Sequence, residues 1–140
     1  MYAERLLPNE PEGEDAVLGS ILIDSEALTS VSSFLKYSDF YQAKARWCYE
    51  AYLALFERGE AINQVTVAHE LSRHERLEEV GGTAYLAHLV RTVPTSVHIE
   101  HYGRIVQRAS VMRQLIGAAN DIAAIGYDSP ADVDSALSKA

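Results

Sequence analysis

The chain has 140 residues, a formal net charge of −8 and one cysteine, Cys48. That length is one domain's worth and can bury a core without disulfides; the lone cysteine excludes an intrachain bridge and fits a reducing cytosol. The acidic balance argues against broad nucleic-acid affinity, no apolar run approaches the ~20 residues of a membrane span, and a start with Glu4 and Arg5 before prolines and acids is no signal peptide.

Residues 1–11 read as extended, since Pro8 and Pro11 each disfavour helix just before them. Pro11 serves as a first helical residue, and a helix follows from about Glu12 to Ile23. Its first turn carries Glu12, Glu14 and Asp15, where the helix dipole favours acids. Val17, Leu18, Ile21 and Leu22 form its buried face, and Gly19 leaves room for a close neighbouring helix. Asp24 or Ser25 caps a second helix, about Glu26 to Leu35, with Leu28, Val31 and Leu35 inward. Ser38-Asp39-Phe40-Tyr41 reads as a tight turn with two aromatic anchors.

A helix from about Gln42 to Arg58 places Ala45, Cys48, Tyr49, Tyr52, Leu53 and Phe56 on one face, with Gly59 as its stop. Cys48 lies in that stripe and reads as core filling. Asn63 caps a helix from about Gln64 to His74, with Val65, Ala68 and Leu71 buried. Leu77–Val80 is a short connector and Gly81-Gly82 a break. A helix from about Thr83 to Arg91 then buries Tyr85, Leu86, Leu89 and Val90.

Thr95 to Gly126 reads as one long helix with two apolar lines in alternating steps of three and four. One runs Tyr102, Ile105, Ala109, Met112, Ile116, Ala119, Ala123. The other runs Val111, Leu115, Ala118, Ile122, Ile125. Two lines at different angles call for two partners, and a helix of about 45 Å must project from a small globule. Ser129, Pro130 and Asp132 make a good helix start, and Val133, Ala136, Leu137 and Ala140 keep helical spacing, so a second helix is expected to fold back as an antiparallel hairpin. The pattern runs uncapped into Ala140, so the second hairpin helix is read as truncated and the natural chain as continuing.

The expected fold is all-α: a helical globule over residues 1–94 and a helical hairpin over 95–140, within one domain. Charge is uneven. Residues 1–26 hold seven acids against Arg5 alone, and residues 91–113 hold Arg91, Arg104, Arg108 and Arg113 against Glu100 alone. Two solvated faces explain this, or a surface that steers a partner.

Enzyme chemistry is missing. There is no Gly-Lys pair, hence no phosphate-binding loop. His69 and His74 are five apart and diverge on a helix, where a zinc pair needs four. His98 and His101 have a spacing that can share a metal but are read as surface histidines.

Ala16-Val17-Leu18-Gly19-Ser20, Asp39-Phe40-Tyr41, Val65-Thr66-Val67-Ala68, Leu77-Glu78-Glu79-Val80-Gly81-Gly82, Ala84-Tyr85-Leu86, Val93-Pro94-Thr95 and Tyr102-Gly103-Arg104-Ile105-Val106 resemble, in order, the N-terminal domain of bacterial replicative DNA helicases of the DnaB type. The resemblance covers about Leu6 to Leu137. Two departures stand out. Pro11, Gly13 and Asp15 are poor helix formers in the first helix, so a shorter or looser helix is expected there. Gly103 takes the place of a usual alanine, with no consequence evident in the sequence.

The resemblance implies a helical globule plus hairpin. It also implies that hairpins pair between subunits and that six copies form a collar, a trimer of dimers. ATP and Mg would belong to a separate RecA-like motor, absent from these residues, which need no cofactor themselves. The collar would also receive the C-terminal helicase-binding domain of primase, linking unwinding to primer synthesis. On this basis the first apolar line packs mainly within the hairpin and the second mainly between subunits or against primase. The interface candidates are Tyr85, Leu115, Ile116, Ala118, Ile122 and Ile125, with Tyr85, Ile116 and Ile122 the candidates for coupling to primase. Tyr85 also reads as a core tyrosine and Ile116 as hairpin packing. Two other readings stay open: a free-standing all-α dimerisation adaptor, and a DNA-binding module using Arg104, Arg108 and Arg113 as a basic surface.

Overall fold

The computed structural model describes residues 6–128 and 131–139. The expected Ser129-Pro130 helix start, the end at Ala140 and the charges of Glu4 and Arg5 lie outside the described residues. Seven α-helices are described: α1 Pro11–Ile23, α2 Ala43–Glu57, α3 Gln64–Arg73, α4 Leu77–Val80, α5 Gly82–Thr92, α6 Ile99–Tyr127 and α7 Val133–Lys139. Two 3-10 segments, Ser25–Ser30 and Tyr37–Asp39, link α1 to α2. No strand occurs among the described residues.

The core is built around α1, which packs on α5, α6 and α2. Val17, Leu18 and Ile21 are fully buried, as their spacing predicts. Despite Pro11, Gly13 and Asp15 the helix runs its full 13 residues. Proline at its first position removes only an amide that has no intrahelical partner. The Glu14 side chain is buried and serves another helix. Its carboxylate accepts from the Tyr41 amide (2.6 Å), the Gln42 amide (3.2 Å) and Gln42 Nε2 (3.0 Å). Gln42, the N-cap of α2, makes no side-chain cap of its own, so α1 supplies the anion that the start of α2 lacks.

Two glycines set helix spacing. A Cβ on Gly19 would run into the Leu89 carbonyl oxygen, so α1 and α5 touch backbone to backbone. A Cβ on Gly103 would lie 2.9 Å from Val31 Cγ1 and 3.1 Å from Phe34 Cζ. The glycine there does have a consequence, contrary to the sequence reading: it lets α6 settle onto the 25–35 segment.

α3 starts where expected. Asn63 Oδ1 accepts from the Val65 and Thr66 amides, both 2.9 Å, and Thr66 Oγ1 accepts from the Asn63 amide at 3.0 Å. Tyr49 and Tyr52 are fully buried and donate to the Leu35 and Leu18 carbonyls at 2.8 and 3.1 Å. These bonds satisfy the hydroxyls that burial would otherwise penalise.

Several expectations are corrected. The segment read as a helix from Glu26 is a 3-10 segment and turns, although Asp24 caps it through the Glu26 amide (3.1 Å) and Leu28, Val31 and Leu35 are buried. Val65 is 79 % exposed and Val67 is buried instead, because the inward line of α3 runs through 67, 70 and 71. Phe56 is exposed while Leu55 and Ala51 are buried. Phe40 is a buried anchor, but Tyr41 is exposed. The connector at Leu77 forms one helical turn. The long helix begins at Ile99, not Thr95: the Thr95 hydroxyl accepts from the Val97 amide and the Ile99 amide bonds back to Ser96, which makes this stretch a turn.

Glu70 is a further buried acid of the globule, besides Glu14 and Asp39. Arg58 Nη2 (2.7 Å), Arg73 Nη1 (3.1 Å) and His74 Nε2 (3.3 Å) surround its carboxylate. The Arg58 hydrogen bond holds the Glu70 carboxyl below its ordinary value of 4.5. The folded state therefore binds protons less readily than the unfolded chain at this site. The resulting stabilisation is complete above about pH 4.5 and is lost as the pH falls through the lower folded value. Urea unfolding across a pH series is expected to show Glu70→Gln less stable than wild type near neutrality, with the gap closing in acid. A gap unchanged down to low pH would show that ionisation of Glu70 contributes nothing. Gly19→Ala is expected to lose roughly 2–3 kcal/mol of unfolding free energy, since a backbone oxygen cannot move aside as a side chain can. Gly117→Ala, with open space around the added methyl, is expected to lose none.

Candidate functional site

The first half of α6 belongs to the globule. Its buried residues are Ile99, Gly103, Val106, Ala109 and Ser110. Ile99, Gly103, Val106 and Ser110 form a third line in steps of four, three and four, distinct from both apolar lines read in the sequence. Of its small residues, Gly103 faces the 25–35 segment and Ser110 bonds to Asp39, while α6 also packs on α1. Tyr102, the foot of the first apolar line, packs partly buried against the core, and Ala109 is buried. The lower part of that line therefore packs on the globule, where the sequence reading expected hairpin packing.

Beyond Gln114 the helix projects. Every described position from Leu115 to Asp128 is exposed except Ile125, which is half-buried. Leu115 is 60 %, Ile122 51 % and Ile116 37 % exposed; Ala118, Ala119 and Ala123 are exposed as well. α7 packs back against α6, but its Val133 and Leu137 are exposed and its half-buried positions are Ser135 and Ala136. A seven-residue helix does not cover the apolar surface of the projecting half. The result is a rod with apolar side chains on two sides, a surface suited to other helices rather than to a small molecule.

Tyr85 lies elsewhere, on α5 in the globule, 7 % exposed. Its hydroxyl donates to Asp15 Oδ1 at 2.8 Å, and Lys44 Nζ sits 4.5 Å from its ring centre. Burial, and then the Asp15 carboxylate, push its hydroxyl pKa far up, so it remains a proton donor. Tyr85 is thus a structural part of the α1–α5 face, and the fold does not bring it to the projecting seams.

The three arginines do not form one basic surface. Arg104 lies over the Phe34 ring (3.7 Å to the centroid) and 3.8 Å from Glu100. Arg108 is exposed beside an open groove walled by Pro8, Glu10, Ile105 and Met112. Arg113 turns inward and donates to the Pro8 carbonyl (2.9 Å) and the Asp39 carbonyl (2.7 Å), with its guanidinium 5.2 Å from the Tyr41 ring centre. The neighbouring Ser110 hydroxyl donates to Asp39 Oδ1 at 2.8 Å. Sequence reasoning missed this junction. The spacing of Ser110 and Arg113, three apart on the helix, placed them on one side, but nothing in the sequence pointed them at residues 8 and 39.

Cys48 is fully buried, and burial pushes its thiol pKa up to about 12, so the nucleophilic thiolate is suppressed. Among the described residues no His, Cys, Asp and Glu cluster could hold a metal ion, and no helix is long and apolar enough to cross a membrane.

Known proteins share this architecture. A family model described as the DnaB-like helicase N terminal domain matches residues 6–108. The replicative DNA helicase DnaB of Geobacillus stearothermophilus is 41 % identical over 140 residues, which are 100 % of this chain and 31 % of that protein. The N-terminal domain of DnaB helicase from Mycobacterium tuberculosis superposes with a TM-score of 0.92 at 34 % identity, covering 96 % of this chain and 94 % of that one. The corresponding domain from Helicobacter pylori, whose structure is described together with its interactions with primase, gives a TM-score of 0.73 at 26 % identity over 83 % of this chain and 90 % of that one.

Proposed function

From the premise that this chain belongs to the family of DnaB-like helicase N-terminal domains, we propose that it is the assembly and docking domain of a replicative DNA helicase. The projecting hairpin pairs with the hairpin of a second subunit, three such pairs close a six-membered collar, and primase docks on that collar through its C-terminal helicase-binding domain. ATP and Mg act in a motor outside these residues. The observation that carries this reading is the uncovered apolar surface of α6 beyond Gln114, at Leu115, Ile116, Ala118, Ile122 and the half-buried Ile125. Full burial of one Leu or Ile side chain contributes about 1.5–3 kcal/mol, so pairing two such rods is strongly favoured. The Helicobacter pylori domain, described with its interactions with primase, supports the docking half of the proposal.

Within this reading Ile116 and Ile122 contact primase or the paired hairpin directly. Tyr85 contributes indirectly, by fixing the α1–α5 face through its bond to Asp15. With Arg104 and Arg113 engaged within the chain, the domain meets DNA only weakly or through its partners.

Sedimentation equilibrium tests the pairing. The wild-type chain is expected to gain mass with concentration. Ile122→Asp, which places a charge in the seam, should weaken association roughly 100-fold or more while helix content by circular dichroism stays unchanged. A wild-type chain that stays monomeric to high concentration would overturn hairpin pairing. Calorimetric titration with the C-terminal domain of a bacterial primase tests docking: undiminished binding by both Ile116→Asp and Ile122→Asp would remove these residues from the docking surface.

A further inference from the structure

We infer that Arg113, together with Ser110 and Asp39, is a positioning clamp that fixes the direction in which the hairpin leaves the globule. The inference rests on the proposed role of the hairpin only for its consequence, not for its geometry.

Ser110 is the last buried residue of α6, and Arg113 is one turn further on, where the helix enters solvent. At this point the packing line offers Ala109 and Ser110, whose small side chains interlock little with their neighbours. One flank of the helix is open, facing the groove between residues 8–10 and Ile105, Ala109 and Met112. Hydrogen bonds take over from packing. The Arg113 guanidinium bridges two carbonyls 31 residues apart in sequence, those of Pro8 and Asp39. Asp39 is itself held: its Oδ2 accepts from the Lys36 amide at 2.8 Å and its Oδ1 from Ser110. The clamp therefore ties the N-terminal segment, the Tyr37–Asp39 turn and α6 at one level.

Position matters because the rod beyond it is long. From Arg113 to Tyr127 the helix extends about 21 Å, so a tilt of about 10° at the clamp moves the tip by about 4 Å. That displacement is large against the sub-ångström fit of packed seams. A lysine cannot replace the arginine, since an ammonium lacks the planar fork that reaches two carbonyls from one group.

The test is the distance between spin labels on Glu57→Cys and Ala123→Cys, both exposed positions, measured by pulsed electron resonance in labelled chain diluted with unlabelled chain. Native Cys48 is buried and stays unlabelled. One narrow distance peak is expected in the parent. Arg113→Ala should lose that narrow peak with helix content retained, Arg113→Lys should not restore it, and Ser110→Ala should broaden it less. If Arg113→Ala fails to fold, Ser110→Ala decides the matter alone. An unchanged peak in both Arg113→Ala and Ser110→Ala would overturn the clamp, and full restoration by Arg113→Lys would overturn the two-carbonyl fork. A monomer in sedimentation with a narrow peak here would instead defeat the pairing proposal and leave the clamp standing.

Discussion

A buried carboxylate holds the globule in register. Glu14 lies on α1, the helix against which α2, α5 and α6 all pack, and its two oxygens receive three donors at the start of α2. A buried charge without partners costs several kcal/mol, and the same charge facing a helix N-terminus becomes a specific anchor. The bond fixes where α2 begins. That in turn sets the positions of Tyr49 and Tyr52, whose hydroxyls return to the Leu35 and Leu18 carbonyls. Among the described residues, no buried side-chain polar atom is left without a partner.

Much of this fold was legible in the sequence. The Asn63 cap, the Gly59 stop, the buried faces of α1 and α5 and the existence of one long helix at α6 follow from local rules, and those rules hold, although α6 starts four residues later than its apolar pattern suggested. One group of failures shares a cause. Apolar spacing identifies large side chains, but the helix contacts that place α6 depend on what is missing from a side chain. Gly103 and Ser110 carry no signal in an apolar count, yet they lie on the line that faces the globule. The error at Val65 has another origin: two valines two apart sit about 200° apart on a helix, and only tertiary context chooses between them. Glu14 was read as a dipole-friendly acid on its own helix. Its service to α2 needed knowledge of which segments meet.

The candidate site was legible in a complementary way. Leu115, Ile116 and Ile122 stood out because they repeat at helical spacing beyond what one buried stripe requires, and the structure leaves them exposed. Tyr85 and Arg113 show the limit of that approach. In the sequence Tyr85 is open between a docking contact and a core tyrosine, and Arg113 reads as part of a basic surface, while in the fold Tyr85 bonds to Asp15 and Arg113 to two backbone carbonyls. One helix thus serves two purposes, with small residues that seat its base and large apolar residues left over along its shaft.

The backbone contact between Gly19 and Leu89 also bears on how such a chain can vary by mutation. Every single-base missense change of a glycine codon installs a side chain with at least a Cβ. At position 19 there is no room for even that atom. The position is closed to gradual substitution, whereas Gly117 on the projecting shaft has free space around it. In a distant sequence, a glycine at the level where these two helices cross would therefore be a sharper marker of this helix pairing than the identities of the larger residues around it, which can exchange volume with one another.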